Sequence, residues 1–234
     1  MRIAVAIAGV CLFGMGVSRA GGSGDSRGRA AGTRPAADIT VDASGVPDMA
    51  VWAGRVQAVA DAEYPKIGVL LPSGGFVAPA RVRIVIDKDM DGVAATTGST
   101  IHLAAGYFRA HPEDVGAVVH ELAHVVQHYQ GRTGNAGWLV EGIADWVRFY
   151  HYEPVGNRPV VNPRTADYRQ GYRTAAAFLE WMDKTYGPNL VVKINAALRG
   201  GRYQEAMFQE LTGKPRGTLW AEYLDSLRHP ATRG

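Results

Sequence analysis

Two histidines and a glutamate stand at a spacing that suits metal chemistry, in the run His120-Glu121-Leu122-Ala123-His124. In an α-helix, residues four positions apart lie on one face about one turn apart, so both imidazoles can reach one metal ion. Glu121 lies beside them, within reach of a water molecule at that ion. Two neutral nitrogen ligands and an adjacent carboxylate base are typical of a hydrolytic zinc site. Five-residue patterns also occur by chance on amphipathic helices, so the interpretation as a zinc site needs the support of a further candidate ligand in the sequence.

A third ligand is available 17 positions after His124, at Glu141. Glycines between the two positions allow the first helix to end and a second helix to return. Asp145 lies on the same helix face as Glu141, where its carboxylate can accept the outer N–H of a ligand histidine. The neighbouring residues are mostly apolar and predict a buried helix, in which carboxylates need partners. We therefore predict zinc held by His120, His124 and Glu141, with Asp145 as an alternative third ligand.

Other histidines compete for the metal less well. His128 lies one further turn along the helix from His124, which moves it about 6 Å away from the metal. The residues between them contain no glycine that would turn the chain back, so His128 is predicted to line the cleft or face solvent. Spacing does not exclude His102 or His151, but neither has a companion motif.

The chain resembles the gluzincin clan of zinc peptidases and, more closely, the basic secretory protein family of plants and bacteria. The resemblance extends over roughly residues 48 to 228. The segments that carry it are Asp89-Met90-Asp91-Gly92-Val93-Ala94, Ile101-His102-Leu103, the His120 helix, Glu141-Gly142-Ile143-Ala144-Asp145, Gly171-Tyr172-Arg173-Thr174-Ala175 and the Leu-Trp pair at Trp220. The resemblance implies a zinc peptidase with a zincin fold whose substrates are peptides or proteins.

The same resemblance implies a role for Tyr172 as the donor that stabilises the oxyanion of the reaction. The alternatives are that Tyr172 is a core residue of an amphipathic helix, or that Tyr168 is the donor. Arg148 and Arg173 are candidates to pair with Asp145 or with a substrate carboxylate.

The residues favour an enzyme in which Glu121 takes a proton from water and returns it to the leaving amine. Two other functions stay open: a non-catalytic secreted binding module on the same fold, and a zinc hydrolase that acts on other bonds. A binding module would not need the base Glu121, so its presence favours catalysis.

The N terminus has the pattern of a signal peptide in residues 1–20. Arg2 precedes an apolar run, and Ser18-Arg19-Ala20 offers small residues for cleavage after Ala20. The run is short for a membrane anchor, and the residue before Cys11 does not suit lipoprotein processing. We therefore predict a secreted or periplasmic protein without stable membrane insertion.

The mature protein would carry neither cysteine chemistry nor a strong charge. Cys11 is the only cysteine, so disulfides and thiolate catalysis are not expected. Loss of Arg2 and Arg19 leaves 23 basic against 22 acidic residues, which gives no electrostatic case for nucleic acid. Nothing in the composition indicates the oligomeric state.

The chain is predicted to hold one folded domain over residues 46–230, after a disordered spacer over residues 21–45. The spacer is rich in Gly, Ser, Arg and Ala, and it cannot bury enough apolar surface to offset ordering. Roughly 180 residues suffice for one domain with a core.

Short strands early in the domain and helices late in it predict an α+β fold, with a small sheet followed by a mainly helical half. Strands are predicted at Val82–Ile86 and Thr100–Ala104, with a turn at Asp89–Gly92 in which a structural role is favoured over calcium binding. The resemblance implies that Thr100–Ala104 is the edge strand that pairs with substrate. The predicted helices are Pro47–Ala62, the His120 helix opening at Pro112-Glu113-Asp114, the Glu141 helix, Thr165–Thr185, Pro188–Leu198, Tyr203–Leu211 and Thr218–Arg228.

Overall fold

A four-stranded mixed sheet forms one side of the domain in the computed structural model, which describes residues 37–129 and 134–229. The strands are β1 (Asp38–Asp42), β2 (Arg81–Asp87), β3 (Ala94–Thr97) and β4 (Thr100–Ala104). Their order across the sheet is β1-β2-β4-β3; β1, β2 and β4 are parallel, and β3 is antiparallel to β4. Alternate residues of β2 are buried, as expected for a strand with one face on the core.

The first strand lies in the segment that composition assigned to the spacer. Residues 38–42 pair with 81–85 in parallel register, so the folded domain begins by Asp38 rather than at residue 46. Ile39 is buried on this strand. The local composition could not predict β1, because a short strand is stable only when it pairs with a neighbour. The predicted signal peptide and residues 21–36 of the spacer lie outside the described residues.

The edge strand beside the His120 helix is β3, and the expectation that Thr100–Ala104 holds this position is wrong. A two-residue turn at Gly98-Ser99 folds β3 back on β4, with Thr97 opposite Thr100. Gly98 has a φ of 61°, which suits the tight turns of two-residue hairpins. The hairpin therefore places Thr100–Ala104 inside the sheet, between β2 and β3.

Helices make up most of the remaining chain. Their bounds are α1 (Ala50–Leu70), α2 (Ala105–Ala110), α3 (Gly116–Gln127), α4 (Gly137–Trp146), α5 (Tyr172–Tyr186), α6 (Leu190–Arg199), α7 (Met207–Thr212) and α8 (Arg216–Arg228). A 3₁₀ turn (Pro47–Met49) precedes α1, and a π-helical turn (Val147–Tyr152) continues α4. The predicted α+β class, with a small sheet and a mainly helical remainder, is confirmed. No helix in the described ranges is long and apolar enough to cross a membrane.

Several predicted helices have different bounds in the structure, and α7 begins at Met207 rather than at Tyr203. Helix α1 continues through Pro65 to Leu70, beyond the predicted end at Ala62, and buries Ile67 in its last turns. Helix α5 begins only at Tyr172, because residues 165–170 form turns instead of the predicted helix. Tyr172 is therefore the first residue of a helix.

Helix α3 begins at Gly116, and the prediction that Pro112-Glu113-Asp114 forms its first turn is wrong. The Asp114 carboxylate instead accepts hydrogen bonds from Tyr107 and Arg148. Arg148 also pairs with Glu153, and a Cβ on Gly116 would overlap with the Glu153 carboxylate. A side chain at the start of this helix would therefore displace Glu153 from its position beside Arg148.

The far end of α3 is held by a partly buried arginine from α6. Arg199 donates hydrogen bonds to the carbonyl oxygens of Val126, Gln127 and Leu71. These carbonyls lie at the ends of α3 and α1, where a helix has no backbone donors of its own. His128, at φ 44°, ends α3 in the left-handed region. Both ends of the helix that carries His120 and His124 are thus held by tertiary contacts.

Candidate metal centre

Helices α3 and α4 bring the three predicted ligands together. His120 and His124, four residues apart on α3, direct their Nε2 atoms to within 3.0 Å of each other. Glu141 of α4 places Oε2 at 3.3 Å from His120 Nε2 and 3.5 Å from His124 Nε2. All ligand atoms lie within 4.8 Å of one another, so the group could hold a metal ion. The side chains are largely buried.

The outer nitrogen of each histidine has its own acceptor. His120 Nδ1 lies 2.7 Å from Asp145 Oδ1, as the sequence predicted for a carboxylate one turn after Glu141. His124 Nδ1 lies 2.7 Å from Gln127 Oε1. The Gln127 amide can be oriented in one way only, because its Nε2 donates to the Val140 carbonyl at 2.8 Å. Both Nδ1 atoms therefore carry a proton, so the Nε2 atoms are the nitrogens that can bind a cation.

This donor set fits a cation. Two imidazole lone pairs and one carboxylate oxygen face the same small volume, and they would repel one another without a positive charge between them. Imidazole nitrogens with one carboxylate are a ligand combination that zinc accepts. Asp145 does not belong to this group of ligand atoms. Its Oδ1 atom instead contacts the outer nitrogen of His120. The geometry thus favours Glu141 over Asp145 as the third ligand.

The electrostatics of the three side chains agree with this interpretation. Burial lowers the pKa of His120, but Asp145 and Glu141 outweigh it and hold that pKa well above its ordinary value. Burial also lowers the pKa of His124, and Glu141 reverses the shift. Burial raises the pKa of Glu141, yet the two imidazoles bring it far below the usual range. The site therefore favours a positive charge among these groups, which a proton or a metal cation can supply.

Glu121 lies next to the cluster without belonging to it. Its side chain is buried, and Oε2 accepts a hydrogen bond of 2.6 Å from Thr96 Oγ1. Thr96 belongs to the edge strand β3. The carboxylate of the predicted base is thus held at one oxygen, and the other oxygen is not bonded to any of the described residues.

The two tyrosines considered for the oxyanion have different surroundings. Tyr172 begins α5 and is half-buried. Its pKa is raised by burial and, in addition, by the negative charges of Glu141 and Asp145. Tyr168 is buried with its ring against Trp138 at 4.6 Å. Tyr168 is therefore a core residue, and Tyr172 stays the candidate donor.

Tyr172 reaches this position because α5 packs tightly on α4. Gly142, next to Glu141, faces α5 so closely that an added Cβ would lie 2.8 Å from the Cβ of Ala175. A side chain at residue 142 would keep the helices apart. The glycine thus sets the distance between Glu141 and the start of α5.

The remaining candidates lie apart from the cluster. His128 packs its ring near Phe76, His102 faces Asp87 at 3.4 Å, and His151 lies edge-on to Trp146. Arg148 pairs with Asp114 and Glu153 rather than with Asp145. Arg173 lies over the ring of Phe149.

Two residues that contact the site were absent from the sequence-based prediction. Gln127 lies three residues after His124, so the helical spacing contained a signal for it. Thr96 gave no such signal, because its contact with Glu121 joins a strand to a helix 25 residues away.

Fold and site together define an α+β protein with a buried His-His-Glu group that could hold a metal ion and a carboxylate beside it. The chain belongs to the BSP family, described as "Peptidase of plants and bacteria", whose model matches residues 76–223. The matched region contains all of the site residues, and membership supports a peptidase that acts on peptides or proteins. No curated protein and no solved structure matches the chain.

Proposed function

We propose that the protein is a secreted zinc peptidase of the zincin type, which hydrolyses peptide bonds with Glu121 as general base. The observation that carries the proposal is the convergence of His120 Nε2, His124 Nε2 and Glu141 Oε2 within 4.8 Å. Membership of a peptidase family supports the reaction class.

Zinc would be held by His120, His124 and Glu141. When bound, it supplies a Lewis acid that polarises a carbonyl and lowers the pKa of water. Asp145 and Gln127 fix the histidine tautomers, so both Nε2 atoms are available as ligands without a change of rotamer. The buried surroundings limit the access of bulk water to the ligands.

Glu121 would accept a proton from the attacking water and pass it to the leaving amine. Its position next to His120 keeps the carboxylate at the edge of the cluster, while Thr96 holds Oε2. The remaining oxygen, Oε1, is the base. General base catalysis of this kind contributes about 10² to 10⁴ in rate.

Tyr172 would donate its hydroxyl proton in a hydrogen bond to the developing oxyanion. Because its pKa is raised by burial and by the nearby carboxylates, the phenol is protonated at neutral pH. A neutral donor beside a developing negative charge stabilises the transition state more than the ground state.

The zincin assignment is supported by the position of β3. This strand is antiparallel to its neighbour, lies at the sheet edge, and contacts α3 through Thr96. An extended peptide can add to such an edge by main-chain hydrogen bonds. We infer that substrate binds along β3.

Export of the protein is proposed from the sequence of residues 1–20. Arg2, the apolar run and Ser18-Arg19-Ala20 together support cleavage after Ala20. Mass spectrometry of exported protein should find a chain that begins near Gly21. Recovery of the intact N terminus would contradict this part of the proposal.

The decisive test compares wild type with Glu121→Gln. We expect about one zinc ion per chain in both proteins, from elemental analysis, because Glu121 is not a ligand in the proposed site. We expect hydrolysis of a fluorescence-quenched peptide pool by the wild type alone, lost on addition of chelator, and a fall of about 100-fold or more in the variant. Zinc-free folded protein would refute the metal assignment. Equal activity of the two proteins would show that Glu121 is not the base.

A further inference from the structure

A hydroxyl on the edge strand holds the carboxylate that the proposed reaction uses as its base. Thr96 Oγ1 lies 2.6 Å from Glu121 Oε2, and 3.3 Å from the Glu121 carbonyl oxygen. Because a hydroxyl has one hydrogen, the shorter contact to the carboxylate is the hydrogen bond that it donates. Bonds of this length to an ionised acceptor are stronger than neutral ones.

The contact restricts what the Glu121 carboxylate can do. A glutamate side chain has a broad, roughly two-fold preference at its last torsion, so a free carboxylate would turn readily. With Oε2 bonded to Thr96, the plane of the carboxylate is set and Oε1 is left to accept a proton. This is the difference between a carboxylate near the site and one oriented for proton transfer.

The location of Thr96 gives the contact a second consequence. Thr96 lies in the middle of β3, opposite Ile101 of β4, and the other side of β3 is an edge of the sheet. Its neighbour Thr97 is exposed, as expected from the alternation of side chains along a strand. The same short strand therefore offers main-chain groups to an extended peptide and a side chain to the base.

We propose that Thr96 is a positioning residue: its hydroxyl orients Glu121 for proton transfer and links the base to the strand along which substrate binds. This inference rests on the proposed peptidase function. Thr96 acts through Glu121 and does not touch the reacting atoms, so its loss should change kcat and leave KM nearly unchanged.

Three variants test the role of the hydroxyl. Thr96→Val keeps the branched shape and removes the hydroxyl, Thr96→Ser keeps the hydroxyl, and Thr218→Val makes the same change at an exposed position of α8. With the best-cleaved peptide of the quenched pool, we expect kcat of Thr96→Val to fall by about 10- to 100-fold, as for loss of a hydrogen bond to a charged group. Thr96→Ser should recover most of the rate, and Thr218→Val should match wild type.

A second measurement does not depend on activity. Urea unfolding of metal-free wild type, Thr96→Val, Glu121→Ala and the double variant forms a double-mutant cycle. We expect the contact to appear as a coupling of about 5- to 30-fold in the unfolding equilibrium constant. Glu121→Ala paired with Thr218→Val should show no coupling.

The outcomes separate this inference from the function on which it rests. Coupling together with a kcat loss that serine restores supports it. If the cycle shows no coupling, the contact between Thr96 and Glu121 is refuted. If coupling is found but kcat of Thr96→Val is unchanged, the positioning role is refuted. A rise in KM with an unchanged kcat would assign Thr96 to substrate binding instead. If the cycle shows coupling but the zinc-loaded wild type cleaves no peptide, the peptidase function is refuted, and with it any catalytic role for Thr96.

Discussion

Gln127 provides a direct test of the candidate metal centre, because its neutral side chain connects the candidate ligand His124 to the backbone of α4. It is 2% exposed, accepts from His124 Nδ1 at 2.7 Å and donates to the Val140 carbonyl at 2.8 Å. Gln127→Met keeps the length and approximate volume of the side chain, so no large cavity forms, but both hydrogen bonds are lost. The effect of the substitution is therefore polar rather than steric.

The structure sets the expected magnitude. The variant leaves the buried Nδ1–H of His124 without a partner, whereas the Val140 carbonyl keeps its backbone hydrogen bond within α4. An unsatisfied buried group costs about 1–3 kcal/mol, so the free energy of unfolding of the metal-free protein should fall by about that amount. His124 also loses the acceptor that fixes its tautomer, and loss of such a partner weakens metal binding by about 10- to 100-fold.

Two assays measure these effects separately. Urea unfolding of metal-free protein gives the stability change, and competition with a chromogenic chelator gives the zinc Kd. Gln204→Met is the matched control, because Gln204 is exposed, and it should change neither quantity. If Gln127→Met binds zinc as tightly as wild type, His124 does not need Gln127 to present Nε2, and the tautomer argument is refuted.

Two further substitutions test the surroundings of the site. Gly142→Ala should lower the free energy of unfolding by about 1–3 kcal/mol, since the new Cβ overlaps Ala175 of α5; urea unfolding measures it, and an unchanged midpoint would show that the helices separate freely. His151 is held neutral because burial lowers its pKa, with Glu180 and Asp183 opposing the shift. The unfolded chain then takes up this proton first, so the contribution of His151 to stability should fall as the pH falls below about 6.5. His151→Gln should lose less between pH 7.5 and 5.5, and equal losses would contradict the direction of the shift.

The sequence alone determined which side chains share one face of a helix, because this depends only on the regular period of the helix. The four-residue spacing of His120 and His124 places both on one face whatever surrounds the helix, and the same spacing aligns Asp145 with Glu141. The overall α+β class followed from the distribution of apolar periodicities along the chain. These spacings join residues that are close in sequence, so they can be inferred without knowing the fold.

Strand pairing and helix packing were decided only by the tertiary structure. Whether residues 38–42 form a strand depends on the partner β2, and the hairpin at Gly98 decides that β3 takes the edge. Helix α3 begins at Gly116 because Asp114 is engaged by Tyr107 and Arg148 from elsewhere in the fold. Each of these outcomes depends on residues distant in sequence.

The candidate site also has some features that the sequence predicts and others that only the tertiary structure decides. The sequence indicated the candidate ligands and the candidate base, but only the fold turned Thr96 toward Glu121 and packed α5, which begins at Tyr172, closely against Gly142 of α4. A contact between a strand and a helix depends on how the sheet and the helices pack, and no repeat along the chain encodes that packing. The candidate ligands were therefore set by sequence, whereas the orientation of the Glu121 carboxylate was set by tertiary structure.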